Sequence, residues 1–517
     1  MNEPDQPNEP VEPQPAQPSL LPSLSEHQSY RPQAKAVNPG QPVVATPAGS
    51  STSVAAKMRR RRRIRARIRK AVVLVVLLGL LGGGAYAAKY YFLDTRWPDG
   101  YDTLVSEVEQ ARGITFDEPV EVKELDAAEY AATLFHSTMK VEEAGEAELA
   151  GAWRALGVLT GPLDATALGL TAAAEAPAFY DAAASTIYVI RDLPTDLHRF
   201  AVQRALAAAL LDQEFGWGDR IEGSSSAVAR GTAALYDADA LAIADSLLDT
   251  DERVAVLAQQ RTLATAFDVT TSTSPFATTL MGRSGLALRS YVQTLDIPDR
   301  TALELSASPL DGQVLDLRRL VKAIGAGATL QPDVEAGPDA EGTLFWYHAF
   351  SAHLDAESAW QLALALHSDN ASVVSGTAGV CVTALLRFDA TTTDATGVAL
   401  ATWAAGAPAE SSTSVAPVAG GQPGEFQISA CDPSDALDTG AATLRPSLGG
   451  APLRSEQYRV LHEARPELSA ARIACAVFGV DPISAADDRN LVDGLDGWSV
   501  SSLHSPPDPD RADCATL

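Results

Sequence analysis

The stretch LHRFAVQRALAAALLDQEF, residues 197–215, decides the fold of this chain. It is rich in alanine and leucine, which favour helices, and it contains neither glycine nor proline. It follows the segment Phe179-Tyr180-Asp181 and the apolar run TIYVI, residues 186–190, which is rich in β-branched residues. The order predicts a turn and a strand that lead directly into a long helix.

This order resembles a zincin-type metalloprotease family of bacterial envelope proteins. In that family a Phe-Tyr-Asp turn precedes a strand and then a helix that carries His-Glu-x-x-His and ends Ala-Leu-Gln-Asp-Gln-x-Phe. Here the ending is ALLDQEF, residues 209–215. Aligned on it, the first metal histidine falls on Arg204, the general base on Ala205 and the second histidine on Ala208. An acidic third ligand, in a Glu-Gly-Asp-Ala-like motif, falls on Arg230 of RGTA.

These four substitutions remove the chemistry that the resemblance implies. A zincin helix needs imidazoles at i and i+4 to reach one ion, and a glutamate to polarise the metal-bound water. Arginine stays protonated and has no lone pair for a metal, and alanine offers only a methyl group. The resemblance therefore implies a protease-like fold without catalytic residues, metal or cofactor.

Other segments resemble the same family in the same order. They are EVEQARGITFDEPVEV at residues 107–122, WRALGVL at 153–159, MGRSG at 281–285 and SPLDGQVL at 308–315, which lacks the family's glutamate. The resemblance covers roughly residues 102–432. If the fold is kept, Arg204 and Arg230 approach one pocket. Each then needs a carboxylate, water or an anionic ligand, unless both side chains extend to the surface.

The charge of the chain is unevenly distributed. The formal net charge is −27, but residues 57–70 contain ten basic residues and no acidic ones. Residues 71–517 carry 61 acidic and 27 basic residues, a charge of −34. So acidic a surface argues against binding to nucleic acid or to anionic lipid over a broad area.

The N-terminal part is predicted to be a membrane anchor. Residues 1–56 are rich in Pro, Gln, Ser and Glu, which predicts a disordered cytoplasmic tail. Residues 57–70 form a basic juxtamembrane segment, and 71–91 an apolar run long enough, at about 31 Å, to cross a bilayer. The basic side stays in the cytoplasm, which places the remainder outside. A signal-peptidase site after Ala87 is the alternative.

The remainder is divided into a zincin-like domain, residues 97–370, and a smaller α+β region, residues 371–517, that contains all four cysteines. An exported domain favours disulfides, and we expect Cys381–Cys431 and Cys475–Cys514, with four free thiols as the alternative. Residues 371–432 alternate like β-strands. The predicted helices span residues 125–135, 227–247, 252–267, 344–366 and 455–477.

The predicted fold class is α+β, mostly helical, with a single transmembrane helix before the zincin-like domain. No phosphate-binding loop or nucleophile elbow is present, the histidines are not spaced as ligands, and Asp237 and Asp239 are interpreted as a solvated helix turn. The sequence predicts a catalytically inactive envelope protein that binds or scaffolds an unknown partner or ligand. A divergent hydrolase with rearranged ligands, and an anchor acting through its Pro-rich tail, remain alternatives.

Overall fold

The strand and helix predicted around residue 197 both form, as β3, Thr186–Ile190, and α5, Thr195–Phe215. The computed structural model of the protein describes residues 97–267 except 142 and 160, 285–292, 311–318, 321, 340–434 except 377, 378 and 389, 446–478, 509 and 514. These residues belong to one unit, Lys89–Leu517.

The helices and strands in the first part of the chain alternate before a run of helices. They are α1 Asp102–Arg112, β1 Glu121–Leu125, α2 Ala127–Met139, α3 Glu146–Ala155, α4 Ala165–Glu175, β2 Ala178–Asp181, β3, α5, α6 Trp217–Ile221, α7 Ser226–Ser246 and α8 Thr250–Ala266.

The second part contains residues 285–292, which are helical, and then further helices and four strands. These are α9 Asp311–Leu315, α10 Gly342–Ser351, α11 Ala356–Ala365, β4 Leu366–Gly376, β5 Gly379–Phe388, α12 Thr393–Gly406, β6 Ser414–Pro417, β7 Glu425–Cys431, α13 Pro446–Ala464 and α14 Ala470–Phe478.

The first sheet has three strands in the order β1-β3-β2. The central strand β3 pairs in parallel with β1 and antiparallel with β2. Its residues Ile187 and Val189 are completely buried. Helix α5 packs against β2, β3 and α7 and is buried on nearly every side, which is typical of a central core helix.

The second sheet is antiparallel, in the order β4-β5-β7-β6. Alternate residues of β5 and β7 are buried, which explains the period-two pattern of the sequence. The buried set is Val382, Ala384, Leu386, Phe388, Phe426, Ile428 and Ala430. The sequence did not predict α12 between β5 and β6. Its fully buried Leu400 and Trp403 anchor a 14-residue helix that shows little amphipathic pattern of its own.

Both predicted disulfides are present, Cys381–Cys431 and Cys475–Cys514. Cys381 and Cys431 are register partners on β5 and β7. The alternation that predicted strands around both cysteines also explains why the two side chains emerge on the same face of the sheet.

Two predicted helices were each too long. The helix predicted at 344–366 is divided into α10 and α11, because the Asp355 carboxylate accepts the Ser358 N–H at 2.9 Å and starts a new helix. The helix predicted at 455–477 is divided into α13 and α14 around Pro466, since proline interrupts the hydrogen bonds of a helix.

The predicted domain boundary between residues 370 and 371 falls inside β4, and one hydrophobic core contains side chains from both sides of this boundary.

The predicted fold class requires a further correction. An α+β, mostly helical description is right, but the transmembrane helix included in it is not found among the described residues, where no helix is both long and apolar enough to cross a membrane. The tail 1–56, the basic segment 57–70 and the span 71–91 lie outside the described residues.

Candidate functional site

Arg204 lies in the middle of α5, at the position of the first metal histidine in the resemblance, and it is 8% exposed. Its guanidinium forms an ion pair with the carboxylate of Asp237, which lies on α7. Nε donates to Oδ1 at 3.0 Å, and Nη2 lies 2.7 Å from Oδ1 and 2.6 Å from Oδ2. A guanidinium and a carboxylate joined in this way satisfy each other's charge and hydrogen-bonding groups.

The surroundings of Arg204 keep it charged. Burial opposes the charge, but Asp237, Glu175 and Tyr130 offset that cost, so the pKa of Arg204 lies above its ordinary value. Nη1 also approaches the carbonyl oxygen of Glu175, at 3.5 Å. The positive charge at this position of α5 is therefore the protein's own Arg204 guanidinium.

The other two substituted positions of α5 are part of the core. Ala205 is 2% exposed, and its methyl group packs with the apolar cluster around α5. Ala208 is half-buried, and its carbonyl oxygen accepts the Trp217 indole N–H at 3.1 Å. Neither side chain can bind a metal or take a proton.

Asp212 and Gln213, which match the helix ending in the resemblance, have structural partners. The Asp212 carboxylate accepts the Tyr180 hydroxyl at 3.0 Å and the Gly218 N–H at 2.8 Å, which joins the end of α5 to β2 and α6. Burial and then the Asp212 charge raise the pKa of Tyr180. The Gln213 carbonyl oxygen accepts the Asp117 N–H at 2.9 Å, which holds the segment before β1. This agrees with the interpretation of these residues as helix-end packing.

Arg230 lies on α7 and has a different carboxylate partner. Its Nε is 3.4 Å from Oδ2 of Asp311, which is only 1% exposed. Asp311 lies in the SPLDGQVL segment, so two segments of the resemblance meet here. Its two oxygens also accept the Thr343 and Leu344 N–H groups at 3.0 and 3.1 Å. Asp311 therefore caps the N-terminus of α10 from a distant part of the chain.

Asp369 of β4 completes this cap. Its carboxylate accepts the Glu341 N–H at 2.6 Å and the Gly342 N–H at 3.1 Å. Gly342 has φ +84°, and a Cβ there would lie 2.7 Å from both Asp311 oxygens, so only glycine fits. Two carboxylates thus satisfy four consecutive backbone donors, at the helix end where the dipole favours negative charge.

The charges at this helix end are not balanced. Asp311 contacts the Arg230 guanidinium, and Asp369 and Glu341 lie close to Asp311, so that in the described part of the chain three carboxyl groups face one guanidinium. Burial raises the pKa of both Glu341 and Asp369. His348 cannot supply a second positive charge at neutral pH, because burial and then Arg230 lower its pKa to about 3. We refer to Asp311, Asp369, Glu341 and Arg230 as the carboxylate cluster.

The carboxylate cluster borders a small, partly open cleft. Its lining residues come from the starts of α7, α9 and α10 and from the first residues of β4. They are Ala227, Asp311, Gly312, Ala340, Gly342, Thr343, Leu366, His367, Ser368 and Asp369.

The sequence predicted that Arg204 and Arg230 approach one pocket. In the structure they form two separate ion pairs, and each guanidinium has its own carboxylate.

Neither Asp237 nor Asp239 belongs to a solvated turn; Asp239 contacts Arg112 and Arg289, at 3.1 and 2.7 Å. Sequence reasoning missed Asp311, Asp369 and Glu341, because no motif signals helix caps donated from 27 or more residues away. In the part of the chain that the structure describes, no three His, Cys, Asp or Glu side chains are arranged to hold a metal ion.

Comparison of the chain with known protein families, with curated proteins and with solved structures gave no match.

Proposed function

We propose that this protein is a non-catalytic binding or scaffolding protein built on a metalloprotease-like frame, and that it acts in an oxidising compartment. The observation that carries the proposal is the Arg204–Asp237 ion pair at the position of the first metal ligand. A zinc ion bound there would have to displace a guanidinium that its carboxylate already holds. The disulfides Cys381–Cys431 and Cys475–Cys514 support the compartment, since such bonds persist where the environment is oxidising.

Binding is the role that agrees best with what the frame retains. The contacts of Asp212 and Gln213 hold the end of α5 in place, which supports a frame that is kept for binding although it has no metal-binding side chains. An acidic surface argues against nucleic acid as the partner, so we propose a protein or a small ligand.

Metal analysis of the purified full-length chain tests the proposal. After incubation with zinc sulfate and dialysis, we expect less than about 0.1 zinc per chain, far below the full occupancy of a closed site, and no hydrolysis of casein or of peptide libraries. Near-stoichiometric zinc that is lost together with hydrolysis on chelation would contradict it.

The double variant Arg204→His/Ala208→His tests the frame itself. It supplies two imidazoles at i and i+4, with Asp237 next to the first, and removes the competing guanidinium. We expect this variant to retain more zinc than the parent chain. Equal zinc contents would argue against a zincin-like arrangement of α5.

A further inference from the structure

The second sheet has one open edge. Strand β4 is first in the order β4-β5-β7-β6 and, among the described residues, pairs only with β5. Residues 372–376 are all exposed. Since side chains alternate between the two faces of a strand, five exposed residues in a row mean that both faces are accessible to solvent here, although the Ser375 hydroxyl donates to Glu148 of α3 at 2.8 Å.

This edge lacks the features that normally prevent strands from pairing. Residues 370–376 contain no charged residue and no proline, although a fifth of the chain is charged. Val374 of β4 is 60% exposed, and Leu385 of β5, on the same outer face, is 44% exposed. The opposite edge is different: β6 has four residues and ends at Pro417. An open, uncharged edge with exposed apolar side chains is suited to accept another strand.

The cleft lies at the start of the same strand. Four consecutive residues, Leu366 to Asp369, line it, and a register irregularity separates Leu366 from Ser368. Because consecutive side chains of a strand point to opposite faces, a cavity that contacts all four lies beside the backbone. An extended chain that pairs with β4 would therefore run from the open strand end towards this cleft.

The charge of the cleft selects the kind of chain that fits. Asp311 and Asp369 line it and Glu341 adjoins it, and Arg230 is the one guanidinium that the described residues bring near them. A second copy of this chain brings a net charge of −27, whereas a lysine or arginine side chain of a partner brings the opposite charge to the cleft.

We propose that the β4 edge binds an extended peptide segment of a partner protein as an added strand, with a Lys or Arg residue at the end that reaches the cleft. The peptide backbone bonds to β4, and its apolar side chains lie on Val374 and Leu385. This inference rests on the proposed binding role and names the surface and the partner class for it.

A random heptapeptide library, selected on the full-length chain, tests the proposal. We expect selected peptides to carry alternating apolar residues and to be enriched in Lys or Arg at one end. The tightest of them, measured by fluorescence anisotropy, should lose at least about tenfold in affinity when alternate amides are N-methylated, because these can no longer donate to β4.

Two valine variants locate the binding surface. Val374→Lys places a charge on the β4 edge and should weaken the same peptide at least about tenfold. Val398→Lys is the matched control, because Val398 is 69% exposed on α12 and the variant has the same net charge. It should bind like the parent chain.

Three results would overturn the proposal. They are a library without enrichment, equal affinity of the two lysine variants, and sedimentation of the chain as a dimer that Val374→Lys dissociates, which would make β4 a contact between two copies. None of them alters the zinc content of the chain, so failure here is distinguishable from failure of the proposed function.

Discussion

Arg204 and Arg230 replace two residues that the zincin resemblance assigns to metal binding, but their carboxylate partners are held in different ways. Asp237 receives three close contacts from Arg204 and is 32% exposed. Asp311 is 1% exposed, lies 3.4 Å from Arg230, and also accepts two backbone N–H groups of α10.

The two carboxylates therefore have different roles. Asp237 forms an ion pair between two helices, whereas Asp311 also holds backbone N–H groups in place. The Arg204–Asp237 pair joins two adjacent helices through side chains, with one long contact from Arg204 to the Glu175 carbonyl oxygen, so two apolar side chains could take its place. Asp311 satisfies buried donors that no apolar side chain can satisfy, so its removal affects the fold around the cleft.

The largest effect is expected from Asp311→Ala. The variant leaves the Thr343 and Leu344 N–H groups and the Arg230 charge without their acceptor, which should lower the free energy of unfolding by about 4 kcal/mol. Urea unfolding of the full chain, followed by circular dichroism, measures the loss.

Asp316→Ala is the matched control for this variant. Asp316 is also buried, at 5% exposed, but its partner is the exposed Arg318 two residues away, so we expect a loss of only about 1 kcal/mol. Equal losses for the two variants would show that the α10 cap contributes nothing beyond an ordinary carboxylate.

An intermediate effect is expected from Arg204→Met. It leaves Asp237 without its cation, but Asp237 is partly exposed and regains water, so the loss should be about 2 kcal/mol. The double variant Arg204→Met/Asp237→Leu should return to within about 1 kcal/mol of the parent.

The same double substitution at Arg230 and Asp311 tests whether the two sites differ. Arg230→Met/Asp311→Leu should not recover, because the α10 donors stay unsatisfied. Recovery of both double variants, measured by the same urea unfolding, would mean that the two sites do not differ.

The smallest effect concerns pH. Burial raises the pKa of Glu341 above 4.5, against the opposing charge of Arg230 and together with the charges of Asp369 and Asp311. The native state therefore holds this proton more tightly than the unfolded chain. The resulting stability is complete below the unfolded pKa and is lost as pH rises through the folded pKa.

Glu341→Gln removes this dependence. The difference in unfolding free energy between the parent and the variant should shift against the parent as pH rises from 4 to 7, in parallel urea titrations at about one-unit steps. A difference that is constant over this range, or that moves in favour of the parent, would contradict the raised pKa.

The sequence predicted the local elements well where one pattern dominated. Helix α5 and strand β3 were predicted from alanine, leucine and β-branched residues. The alternation in β5 and β7 predicted both strands and led to the Cys381–Cys431 pairing. It did not reveal α12, whose apolar residues carry almost no helical periodicity.

The sequence alone predicted a helix that lacks metal ligands, cysteines able to pair, and an acidic chain. Only the tertiary structure decided that Arg204 meets Asp237 and Arg230 meets Asp311, and that Asp311 and Asp369 cap one helix beside an open strand edge. The physical reason is that patterns of 2.0 and 3.6 residues report local burial, whereas a buried charge is stabilised by whichever distant groups the packing brings to it.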